Sequence, residues 1–106
     1  MTAPSLAEQL AALDVFAKNL PAELHNLMRE RYIMGYKQYG DAWLNRDNLA
    51  EGKPEIADTL VYLFQALLAG EVKHLNMGRL RASLSESWMH LSALQRAAAK
   101  RQEATR

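Results

Sequence analysis

The sequence predicts an all-α protein, an antiparallel four-helix bundle that assembles into oligomers, and three observations carry that expectation. Leu and Ala contribute 17 residues each while Val, Ile and Thr together contribute eight, a balance that favours helices over sheet. Four stretches place apolar residues at the 3.6-residue period of a helix face. Start and stop residues bracket those stretches at mostly short intervals, which makes successive helices antiparallel neighbours. With 106 residues and no cysteine, a single helical domain is expected, without disulfides or a Cys-based zinc site and with residues 1–4 and 101–106 frayed.

The first helix opens at Ser5 and Glu8, a capping box in which hydroxyl and carboxylate each satisfy an orphan amide ahead of Leu6, Leu10 and Leu13. It is expected to reach about Asn19, because Pro21 disfavours helical geometry at Leu20 and suits the first turn of a second helix. Leu24, Leu27, Met28 and Met34 set the period of that helix, and Gly40 stops it after Tyr39. Residues 40–53 hold the turn formers Gly40, Asn45, Asp47, Asn48 and Gly52, and read as a long connection with one helical turn at Asn48–Glu51. Pro54 is placed at the first position of the third helix, whose stripe of Ile56, Leu60, Leu63, Phe64 and Leu67 ends at Gly70. The fourth is expected from Gly78 to Lys100 on Leu80, Leu84, Trp88, Leu91 and Leu94, with residues 71–77 left ambiguous.

Thirteen basic against twelve acidic residues leave a charge of +1, far from the excess of a generic nucleic-acid binder. The longest apolar run, Leu60 to Gly70, is too short to span a bilayer, and Glu8 and Asp14 stand where a signal peptide would be apolar. A cytoplasmic chain that binds neither nucleic acid nor membrane is expected.

Glu55 and Asp58 lie three apart, so a helix projects both carboxylates to one side, with Tyr62 continuing that side. Two carboxylates from one turn can share magnesium, a hard cation that keeps waters for substrate phosphates. The competing reading is structural, since acids in a first turn offset the positive end of the helix dipole. Context adds to the spacing: Tyr39-Gly40-Asp41 with Trp43, then Glu55-Ile56-Ala57-Asp58 leading into Thr59-Leu60-Val61-Tyr62-Leu63. Through these motifs the stretch from Glu30 to Leu68 resembles small MazG-like proteins of the all-α nucleoside triphosphate pyrophosphohydrolase group, often found in phages.

The resemblance implies a hydrolase that uses magnesium, or manganese, to convert a nucleoside triphosphate to monophosphate and pyrophosphate, and that works as a dimer or higher homo-oligomer. In that family an E-x-x-D step supplies metal ligands, which Glu55 and Asp58 match, and an E-E-x-x-E step on the preceding helix supplies the rest. Here the second helix carries only Glu23 and Glu30. Glu30, with Glu51 from the connection, is therefore expected to complete the metal shell or position water. The missing E-E-x-x-E favours an alternative, a non-catalytic phage-type accessory or inhibitor that binds protein or nucleotide.

Tyr32, Tyr36 and Tyr39 form an aromatic stripe along the second helix and Trp43 follows in the connection. Tyr39 and Trp43 are candidates to stack on a base, although aromatics at helical spacing commonly serve as core or interface. Lys37 and Lys53 are candidates to meet phosphate oxygens; so is Arg46. His25, His74 and His90 form no i, i+4 metal pair, and Ser83, Ser85, Ser87 and Ser92 lack a nucleophile context.

Overall fold

The structure, a computed structural model, describes residues 2–104. Four α-helices, α1 (Leu6–Phe16), α2 (Ala22–Tyr39), α3 (Asn48–Leu68) and α4 (Gly78–Ala104), are joined with short 3₁₀ turns at Ala42–Asn45 and His74–Asn76. The chain is all-α, with no strand among the described residues. Among the described residues no helix is long and apolar enough to cross a membrane. The helices divide between Arg46 and Asp47 into two compact units.

The first unit holds α1 and α2. Ser5 and Glu8 form the predicted capping box, Ser5 Oγ accepting from the Glu8 amide at 3.2 Å and Glu8 Oε1 from the Ser5 amide at 3.1 Å. α1 stops at Phe16, three residues short of the expectation. Ala17 caps it and is fully buried, and the Leu20 amide donates to the Ala17 carbonyl at 3.0 Å, so the reversal starts well before Pro21. An ion pair and a hydrogen bond then clasp α1 to α2: Arg29 Nη1 donates to both oxygens of Asp14 at 2.8 and 2.7 Å, and His25 Nε2 lies 2.7 Å from Asp14 Oδ1. Gly40 ends α2 at φ +59°, a backbone region that only glycine occupies without strain.

The second unit holds α3 and α4. α3 begins at Asn48, six residues earlier than predicted, because the Asp47 side chain caps it by accepting from the Ala50 amide at 3.0 Å. Pro54 therefore lies inside the helix and leaves the Ala50 carbonyl without its i+4 donor, a substitution pattern that costs about 3 kcal/mol in a helix interior. Packing on α4 offsets that cost. Gly52 lies close enough to Leu91 that a Cβ there would stand 3.6 Å from its Cδ1, and Lys53 Nζ sits 4.3 Å from the centre of the Trp88 ring. The seam continues through Ile56, Leu60, Leu63 and Leu67, all half-buried and spaced by four and three as helix pairing requires. Gly70 at φ +76° follows the end of α3. Residues 74–76 resolve the ambiguous stretch as a 3₁₀ turn, and α4 continues to Ala104 rather than Lys100. Residues 105 and 106 of the expected frayed tail, and Met1 of the amino-terminal one, lie outside the described residues.

Candidate functional site

The early start of α3 changes the surroundings of Glu55 and Asp58. Both are exposed and both lie in the helix interior, Glu55 about two turns from the start, so a first-turn dipole effect, which fades within one turn, does not account for them. Glu51, which the sequence placed in a connection, joins the same helix. At i, i+4 and i+7 the three carboxylates fall within about 60° of one another on the wheel. They run along the side of α3 opposite the Ile56, Leu60, Leu63 and Leu67 seam, and Tyr62, 71% exposed, extends the line. Neither Glu55 nor Asp58 belongs to an ion pair among the described residues; the hydroxyl of Thr59 donates to the backbone carbonyl of Glu55 at 3.0 Å and leaves its carboxylate alone. Like charges at helical spacing oppose one another by a few tenths of a kcal/mol per pair, so the Glu55 and Asp58 pair opposes folding slightly.

Among the described residues no group of three or more His, Asp or Glu side chains is arranged to hold a metal ion. The donor chemistry nonetheless fits a hard cation: carboxylate oxygens are the ligands magnesium selects, and one or two of them with waters and phosphate oxygens make a common shell.

Lys53 lies on the α4 side of α3, over Trp88, rather than beside Glu55 and Asp58. Its ammonium is engaged by the indole face. Trp88 is correspondingly an anchor of the α3–α4 pair.

The remaining candidates belong to the first unit. Glu30 and Lys37 are exposed on α2. Tyr39, at the last turn of α2, is 57% exposed, with the Arg46 guanidinium 6.0 Å from its ring centre, at the outer limit of a cation–π contact. Trp43 is half-buried on the 3₁₀ turn. The tyrosine stripe divides in use. Tyr32 faces inward, donating its hydroxyl to Gln9 Oε1, while Tyr39 faces water. Partial burial, then the charge of Asp41 and the neighbouring Tyr36, raises the Tyr32 hydroxyl above its ordinary value of 10.0 and keeps it a donor.

Sequence reading missed Gln9. It is 7% exposed, and its Nε2 donates to the Pro4 carbonyl at 2.8 Å and to Asp41 Oδ1 at 2.9 Å. The available signal was a polar residue inside the Leu6, Leu10, Leu13 stripe, since a buried amide must find partners. Ser87 and Ser92 donate to the carbonyls one turn back, at 2.9 and 3.0 Å, which accounts for two of the α4 serines as helix-bonded groups.

Compared with known proteins, the chain matches no family model, no curated protein and no solved structure.

Proposed function

We propose that the protein is a metal-dependent nucleoside triphosphate pyrophosphohydrolase, built as an antiparallel helical bundle and active as a homodimer or higher homo-oligomer. The observation that carries this reading is the alignment of Glu55 and Asp58, past the first turn, with Glu51 of the first turn on the exposed side of α3. Glu55 and Asp58, exposed carboxylates past the first turn and outside the apolar seam, are best accounted for by a ligand of opposite charge. The resemblance of the Tyr39–Trp43 and Glu55–Asp58 motifs to MazG-like proteins supports the same reading.

In this proposal Glu55 and Asp58 hold magnesium, with manganese as a substitute, while Glu51 on the same helix completes the shell or accepts the proton of the attacking water. Bound magnesium would neutralise charge on the phosphates and align that water. Tyr39 and Trp43 offer π-faces to the base, and Lys37 offers its ammonium to the phosphate chain. Water adds to the phosphorus that becomes the monophosphate, and pyrophosphate leaves.

The test is pyrophosphate release from a panel of ribo- and deoxynucleoside triphosphates with magnesium or manganese. Asp58→Asn is expected to lower turnover by about 100-fold or more, while its thermal unfolding stays close to that of the parent because Asp58 is exposed. No turnover from a folded, helical protein on any triphosphate overturns the reading. Light scattering at micromolar concentration is expected to give at least two chains, and a monomer mass contradicts the assembly.

A second reading, a non-catalytic accessory that binds nucleotide or a protein partner, is favoured by the sequence of the second helix, which carries Glu23 and Glu30 in place of an E-E-x-x-E step. Nucleotide binding without turnover, unchanged in Asp58→Asn, is its distinguishing result.

A further inference from the structure

The buried amide of Gln9 has three partners, and their chemistry fixes which way it points. The Pro4 carbonyl and the Asp41 carboxylate only accept, and they receive the two Nε2 protons at 2.8 and 2.9 Å. The Tyr32 hydroxyl donates to Oε1. A flipped amide would set oxygen against two acceptors, so this orientation is the satisfied one. Through these bonds one side chain of α1 reaches the segment before α1, the middle of α2 and the residue just past the end of α2.

That last residue controls the aromatics. Asp41 follows Gly40, whose positive φ turns the chain out of α2, and its carbonyl accepts from the Leu44 amide at 3.1 Å to start the 3₁₀ turn that carries Trp43. Tyr39 lies two residues before Asp41 and Trp43 two after. Fixing Asp41 therefore fixes the path between the two rings before any ligand arrives. Pre-ordering of this kind removes an entropic cost of immobilising binding groups.

We infer that Gln9 is the positioning residue of the aromatic segment, holding Asp41 so that Tyr39 and Trp43 are presented for base stacking in the free protein. The part of this inference that concerns nucleotide rests on the hydrolase reading above; the part that concerns the order of the segment does not. Gln9 touches no ligand in this account and acts through Asp41.

Two measurements on the full chain test it, with Trp88→Phe as background so that Trp43 is the remaining tryptophan. The first is acrylamide quenching of Trp43 without ligand. Gln9→Met keeps the length and apolar packing of the side chain and removes its donors and acceptor; it is expected to raise the quenching constant about twofold while the helical signal is retained. Asp41→Asn, which keeps an acceptor oxygen for Gln9, is expected to stay near the parent. The second is pyrophosphate release from ATP with magnesium. Gln9→Met is expected to raise KM about tenfold, the factor that one net hydrogen bond of ordering represents, with kcat within about twofold.

Unchanged quenching in a folded Gln9→Met variant overturns the inference, whatever the enzyme does. Raised quenching with unchanged KM overturns its link to nucleotide. No turnover and no ATP binding by the parent overturns the hydrolase reading, and the quenching result still decides whether Gln9 orders the segment. If Gln9→Met does not fold, Gln9→Glu, which sets a second carboxylate against Asp41, replaces it with the same expected direction.

Discussion

The two helical units are held together by different chemistry. In the first, polar groups turn inward: Gln9 joins Pro4, Tyr32 and Asp41, and Asp14 joins His25 and Arg29. In the second, an apolar seam and the Lys53–Trp88 cation–π contact join α3 to α4, while Glu55 and Asp58 are exposed and, among the described residues, outside ion pairs. A polar group engaged inside a unit is committed to the fold. One left exposed along a helix, against its like-charged neighbours, remains available to a ligand. The comparison therefore sets inward polar pairing in the first unit against exposed, aligned carboxylates in the second.

Single-tryptophan variants separate the units, since Trp43 reports on one and Trp88 on the other. The largest expected effect is at Ala17, fully buried at the α1–α2 reversal. Ala17→Leu overfills that point and is expected to destabilise the first unit by about 2 kcal/mol, seen as a lower denaturation midpoint by Trp43. An equal shift by Trp88 would show one cooperative transition and break the distinction between the units.

A smaller effect is expected at Lys53. Lys53→Gln removes the charge over the Trp88 ring and is expected to cost about 0.5–1 kcal/mol in the Trp88 transition, with little change in KM for a triphosphate. A large rise in KM instead would return Lys53 to the phosphate-binding set.

The smallest effect belongs to acid. The His25 hydrogen bond first, and that of Arg29 second, hold the Asp14 carboxyl below its ordinary value of 3.8. Because the folded value is the lower one, the clasp stabilises the first unit above pH 3.8 and loses that contribution as pH falls further, through the folded value. Solvent around the pair keeps the contribution small. Asp14→Asn is expected to lower stability at neutral pH and to flatten the decline below pH 3.8. The same acid decline in both proteins would assign the effect to other carboxylates, Glu8 first, which its Ser5 capping bonds hold below 4.5.

Local signals were legible in the sequence wherever one residue acts on its neighbours. The Ser5–Glu8 capping box, the stops at Gly40 and Gly70 and the apolar seam of α3 all follow from backbone geometry within a turn or two. The start of α3 did not. Pro54 is a good first-turn residue by itself, and only the Asp47 cap with the packing of Gly52 and Lys53 on α4 carries the helix past it. Glu51 became aligned with Glu55 and Asp58 through that extension, and Lys53 was turned away from them by it.

By itself, then, the sequence determined the helical class, the approximate helix positions and the carboxylate step at Glu55 and Asp58, because helix period and capping act over a few residues. Tertiary structure alone decided that Gln9 reaches Asp41 across 32 positions, that Asp14 is shared by His25 and Arg29, and that Trp88 takes the ammonium of Lys53. Those pairings join residues from different parts of the chain, and nothing in local periodicity encodes which polar group a buried or half-buried side chain will meet.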